Sequence, residues 1–264
     1  MKLLFSESEA DYSRYLYPYA IWAVPEPGEV PADLFNAGFL PGARGLEQFG
    51  LCRNLRVDLA QYKPSSENRR VLRKGEGIAM KLLTRGEFDF SAARKELCLR
   101  YAEMRYGPNV MPLERLELVF NSPLATHIMV FTDAATGADI GFVVFYLEPP
   151  RVAFYRYSFF VLDHPNRSLG LFMMTTALNL FQEQKFTHVY LGTCYSERAL
   201  YKTQFAGVEF FNGFRWSQNL DELKHQLRRD QKKHLLETEE FRAQFYEGSL
   251  DKIVADGGFS VKLK

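Results

Sequence analysis

His127 to Leu162 reads HIMVFTD, AATGAD, IGFVVFYL, EPPR, VAFYRYSFFVL: three runs of apolar, β-branched and aromatic residues parted by a Gly-containing turn and a Pro-Pro turn. Strand-length runs joined by such short connections form an antiparallel meander. The polar loop DHPNRSLG (163–170) follows, then LFMMTTALNLFQEQ (171–184), whose apolar residues recur at helical spacing. THVYLG (187–192) is another strand, SERALYKTQF (196–205) a short helix and VEFFNGFRW (208–216) an extended aromatic stretch. The order meander, loop, helix, strand, helix, strand is not the repeated βαβ of a doubly wound sheet.

That order matches the core of the GNAT acyltransferase fold, an α/β (α+β) architecture with a mixed, largely antiparallel sheet. In that fold the strand before the loop diverges from the strand after the helix, and an acyl donor enters the gap. A Tyr on the next helix, here Tyr201, can protonate a leaving group, and Lys202 beside it can bind an anion. Working outward, residues 17–50 are rich in Pro, Gly and aromatics and predict short strands and turns without a helix. LRVDL (55–59) predicts a strand, KPSSENRRVL (63–72) a helix capped by Ser65 or Ser66, and 91–106 a helix capped by Ser91. Residues 219–246 read as helical, with Leu220, Leu223 and Leu227 on one stripe. The expected organisation is an N-terminal transferase subdomain at 1–90, a GNAT-like catalytic domain at 91–218 and a C-terminal helical tail at 219–264.

Composition narrows the function classes. The 264 residues are 47% hydrophobic, 25% charged and 15% aromatic, as in a globular protein with a large core. Cys52, Cys98 and Cys194 are odd in number and far apart, which argues against a disulfide framework or a Cys-only metal site and fits a reducing compartment. No run reaches the length of a membrane helix, the longest apolar stretch being Ile140 to Leu147, so a cytoplasmic chain without a membrane partner is expected. Net charge is +1, so a polyanion site must come from local clustering. Residues 53–74 hold seven Arg and Lys against two carboxylates, and the pair Arg69-Arg70 beside Ser and Pro reads as an anion cradle. Residues 224–233 are also basic, but Glu237, Glu239 and Glu240 follow at once, as on a solvated amphipathic face.

Several elements, kept in order across residues 12–216, resemble the arginyl-tRNA–protein transferases and the bacterial aspartate/glutamate leucyltransferases. They are Ser13-Arg14-Tyr15-Leu16, Gly38-Phe39, Cys52 to Val57, Pro64 to Arg70, Tyr157-Ser158-Phe159, Arg167 to Phe172, Tyr190-Leu191-Gly192 and Tyr201-Lys202-Thr203-Gln204-Phe205. A GNAT donor loop has Gly or Ala where this chain has Phe172, which would obstruct close approach to a pyrophosphate; the resembled family has Phe there and does not use coenzyme A. The departures lie in the N-terminal half: Ser13 replaces a family cysteine, Cys52 alone remains of the later group, and Asn68 and Tyr106 replace Gln and His. One soft ligand cannot hold an iron–sulfur cluster, so neither metal nor cofactor is implied.

The resemblance implies transfer of an amino acid, Arg or Leu, from aminoacyl-tRNA to the N-terminal amine of an acceptor protein with an acidic first residue. It makes Tyr201 the candidate acid with Lys202 beside it. Arg69, Arg70 and Ser65 are candidates for the acceptor's acidic side chain or the tRNA 3′ phosphates, and Tyr157, Arg167, Ser168 and Gly170 for the donor end. The Arg167 turn and the Tyr201 helix are expected to form the walls of one cleft. Two other readings stand beside this one: a catalytically inactive relative that binds tRNA or acidic N-termini, and a coenzyme A-dependent N-acyltransferase.

Overall fold

A computed structural model describes residues 1–7, 19–42, 45–165, 168–228 and 238–257. The meander is present as β7 (His127–Asp133), β8 (Asp139–Glu148) and β9 (Val152–Phe160). β8 is buried almost end to end, as a continuous apolar run requires when both faces of a sheet are covered. These strands belong to an eight-stranded sheet in the order β12-β11-β5-β10-β9-β8-β7-β6. The others are β5 (Asn54–Asp58), β6 (Ile78–Thr84), β10 (His188–Thr193), β11 (Val208–Phe211) and β12 (Trp216–Ser217). Every pair is antiparallel except β9 with β10. The boundary expected at residue 90 runs through this sheet, because β5 and β6 precede it in sequence.

One face of the sheet is covered by α5 (Leu169–Glu183), with α2 (Ser66–Lys74) and α6 (Leu220–Arg228) beside it. The predicted leucine stripe of α6 joins this core, with Leu223 fully buried. The other face is shared. Over its β6–β9 half lie α3 (Ala92–Tyr106) and α4 (Leu113–Asn121). Over the remainder lies a small antiparallel sheet, β1 (Lys2–Glu7), β2 (Tyr19–Val24), β4 (Phe49–Leu51) and β3 (Phe39–Pro41), with α1 (Pro31–Asn36). A final pair, α7 (Glu239–Tyr246) and α8 (Leu250–Asp256), is held by a buried cluster. Asn212 donates to Glu222 (2.8 Å), and the Tyr246 hydroxyl donates to the same carboxylate (2.9 Å). Among the described residues, no helix is long and apolar enough to cross a membrane.

Some local expectations change. Residues 17–50 contain the helix α1, which the Pro-Gly reading missed. Pro31 starts it at a position where a missing N–H costs nothing, and Ala32, Leu34 and Phe35 bury its inner face. β6 and α4 have no counterpart in the sequence expectation. SERALYKTQF forms a 3-10 helix, Glu197–Thr203. The long helix expected over 219–246 is α6 and α7, with 229–237 outside the described residues.

Candidate functional site

The parallel pairing of β9 and β10 covers only three residues of each strand, from Val152 and His188 to Phe154 and Tyr190. β9 then continues six residues to Phe160 with no strand among the described residues on that edge, while β10 leaves it to pair with β5 alone. The departure coincides with a bulge between Tyr190 and Gly192 against β5, where Gly192 takes φ +78°, a conformation natural to glycine. A second bulge lies in β9 itself, where Arg156 is the extra residue between the pairs Tyr155–Phe145 and Tyr157–Val144. A bulge shifts the period-two alternation by one. Before it, Ala153 and Tyr155 face α5; after it, Ser158 and Phe160 do, and Tyr157 and Phe159 face α3 and α4.

The divergence opens a cavity of about 520 Å³. The start of α5 lines one side through Ser168, Gly170, Leu171 and Met174. The end of β9 supplies Ser158 and Phe160, and the 3-10 helix supplies Arg198 and Tyr201. The C-terminal end of α3, reaching round the open edge of β9, supplies Tyr101, Arg105 and Tyr106. Gly170 is needed for packing: a Cβ there would lie 2.9 Å from the ring of Phe160. The N-terminus of α5, whose first N–H groups have no acceptor within the helix itself, faces the same space.

Tyrosines dominate the electrostatics. Tyr201, 52% exposed, stands at the mouth. The surrounding protein pushes its phenol above the ordinary value, and Arg105 works against that shift. Burial, with a smaller effect from Tyr201, pushes Tyr101 up to about 12. Burial also raises Tyr106 and Tyr155. The Tyr155 hydroxyl, deep under the floor, comes close to Ser158 without a hydrogen bond of normal geometry. Arg105 and Arg198 form no ion pair and no hydrogen bond among the described residues, and no carboxylate lines the cavity.

Four residues of interest from the sequence are placed here or beside it: Ser168, Gly170 and Tyr201 line the cavity, and Lys202 lies on the β10 side of the gap. The Lys202 ammonium donates to the Thr193 carbonyl at 3.3 Å, and burial holds it below its ordinary value. Tyr157 stacks on Phe159 on the opposite face of the sheet and does not line the cavity. Arg69 and Arg70 belong to α2 and Ser65 precedes it, and none of the three lines the cavity at the splay. Ser65 is the helix cap, accepting from the Asn68 amide at 3.1 Å. Arg69 donates to the Pro64 carbonyl at 2.6 Å, and Arg70 pairs with Glu67. Arg167 lies outside the described residues, as does Ser13. Phe172 points into the core against Phe131 and Gly75, away from the cavity, so its bulk does not decide what the loop can bind. Arg105, Arg198 and Ser158 were not singled out as site residues in the sequence; only the Tyr157-Ser158-Phe159 element and the departure at Tyr106 pointed near them.

A mixed sheet, a helix entering at the splay and a cavity at that point give the chain a GNAT-like fold. No protein-family model matches the chain. The aspartate/glutamate leucyltransferase of Ruegeria sp. (strain TM1040) is 25% identical over 170 residues, 63% of this chain and 61% of that protein. The aspartate/glutamate leucyltransferase of Ruegeria pomeroyi is 24% identical over 180 residues, 66% and 64% of the two chains. That of Paramagnetospirillum magneticum is 28% identical over 172 residues, 62% and 68%. The match thus spans less than two thirds of the length of both Ruegeria proteins. Among solved structures, FemX aligns with a TM-score of 0.46 at 10% identity, over 74% of this chain and 69% of that one.

Proposed function

We propose that the chain transfers leucine from an aminoacyl-tRNA to the N-terminal amine of an acceptor protein that begins with Asp or Glu. The observation that carries this reading is the lining of the cavity: apolar walls from Phe160, Leu171 and Met174 and, among the described residues, two guanidiniums without ion-pair partners and no carboxylate. A leucyl side chain suits those walls. An arginyl side chain would enter among like charges with no counter-ion, which is costly in a partly desolvated site. The names of the relatives support the same choice of amino acid and acceptor.

The chemistry asks little of the enzyme. The ester is already activated, and a free α-amine has a pKa of about 7.7–8.0, so roughly a tenth to a sixth of it is already neutral near pH 7 without a strong base. The amine nitrogen attacks the ester carbonyl, and the oxyanion forms near the N-terminus of α5 and the open edge of β9. The bond from carbon to the ribose oxygen then breaks. Tyr201, kept protonated by its raised pKa, gives its proton to the departing oxygen and recovers one from the former amine, so the enzyme carries no net proton away. Arg105 and Arg198 take the acceptor's carboxylate and an internucleotide phosphate near the tRNA 3′ end. Lys202 offers a further cation from the β10 side, and Arg69, Arg70 and Arg167 suit the backbone of the acceptor stem.

The test is to offer leucyl-tRNA and arginyl-tRNA with peptides bearing Asp, Glu or neutral first residues. Labelled leucine is expected on the acidic peptides alone. Equal transfer of arginine, tRNA binding with no transfer, or acylation from acyl-coenzyme A would each replace this reading. Tyr201→Phe is expected to lower kcat by about 10²–10⁴-fold, the usual contribution of a positioned acid; an unchanged rate would remove Tyr201 from that role.

A further inference from the structure

A second concavity, about 280 Å³, lies against the first on the outer side of α3. The two share a wall made by Tyr101 and Phe160, whose rings lie 4.7 Å apart. Helical spacing explains the partition. Leu97, Arg100 and Met104 sit three and four residues apart on one stripe of α3 and face the groove, while Tyr101 and Arg105 sit on the next stripe and face the cavity. Val161 and Leu162 close the far side of the groove. Met104 is 69% exposed, a large apolar side chain left uncovered beside a ready-made slot. The charges differ between the two spaces. The cavity has guanidiniums only, whereas the groove's rim carries Glu96 and Asp163 against Arg100.

We infer that this groove holds the side chain of the acceptor's second residue and selects an apolar one. The inference rests on the proposed transferase reading. An acceptor whose amine lies at Tyr201 and whose acidic first side chain meets Arg105 must leave the cavity somewhere. Extended chain advances by about 3.3–3.6 Å per residue, so one residue carries it past the shared Tyr101–Phe160 wall. Successive side chains of an extended chain point to opposite sides, which takes the second away from Arg105 and over the apolar floor. The volume suits a side chain of leucyl or phenylalanyl size. The surplus carboxylate on the rim disfavours a second acidic residue, so the surface reads acidic first, apolar second.

Two readouts test this on the full chain. Fluorescein-labelled peptides with Asp first and Leu, Lys or Glu second are titrated for binding, and the same sequences are compared for leucine transfer. The Leu peptide is expected to be preferred over the Glu peptide by about tenfold or more, the effect of burying one apolar side chain. Substitution at the fifth position should shift neither readout by more than about twofold. Ala93→Trp, which fills the groove from the exposed first turn of α3, should bring the Leu-to-Glu ratio close to one. Met104→Glu should move the preference toward the Lys peptide. Equal treatment of all second residues, or a ratio unmoved by both variants, overturns the inference even if leucine is transferred. A binding preference abolished by Ala93→Trp in a protein that transfers nothing would keep the groove and reject the transferase.

Discussion

The molecule has two cationic regions, and they are built in opposite ways. On α2 the arginines are dense in sequence, and the adjacent pair is occupied in the structure: Arg70 is paired with Glu67 and Arg69 bonded to the Pro64 carbonyl. Arg56, counted with them in the sequence, is buried among Glu209 (2.7 Å), Asn36 (2.9 Å) and the Trp216 ring (3.9 Å). Around the cavity, Arg105 and Arg198 are 93 positions apart in sequence yet line one space with no partner among the described residues. A guanidinium with an intramolecular carboxylate must give up that contact before it can hold a ligand; one without has nothing to exchange. Density of charge in sequence is therefore a poorer guide to a binding site than the absence of partners in space.

Activity measurements test this contrast most sharply. Arg105→Ala and Arg198→Ala are each expected to lower kcat/KM for leucine transfer by about 10–100-fold, the value of one charge-assisted contact. Arg69→Ala and Arg70→Ala should each cost only a few-fold and reduce the salt dependence of tRNA binding by about one unit of slope, as single phosphate contacts do. A larger loss from the α2 variants would move the site there.

A smaller effect is expected in stability, at the place where α2 meets α5. A Cβ on Gly75 would fall 2.0 Å from the buried Phe172 ring, so Gly75→Ala should destabilise the fold by about 1–3 kcal/mol, read by urea unfolding. No loss would mean that the helices can slide apart without cost. Smallest of all, Ser65→Ala should cost about 1 kcal/mol through its lost helix cap while leaving the saturating transfer rate within about twofold. A collapse of transfer with little change in stability would make Ser65 a ligand contact instead of a cap.

Much of this architecture was legible in the sequence because local patterns carried it. The meander, α5, β10 and the capped start of α2 each follow from periodicity and turn chemistry within a dozen residues. α1 was hidden because Pro and Gly are common both in turns and at helix ends, and its burial depends on the small sheet and on Tyr146, Phe154 and Tyr190, aromatic neighbours far along the chain. The face that Tyr157 occupies was hidden for a similar reason. Alternation alone puts it on one face, and the bulge at Arg156, where that guanidinium donates to Val119 (3.1 Å) of α4 and to Ser122 (2.8 Å) at that helix's C-terminal cap, reverses which residues face α5.

From the sequence alone came the fold class, the loop before α5 and Tyr201 as a candidate group, because each is written in neighbouring residues. The cavity, the freedom of Arg105 and Arg198, and the groove beyond Tyr101 were decided by tertiary structure. Each depends on where two strands stop pairing and on which charges happen to meet, and those are relations between segments that no single stretch of chain encodes.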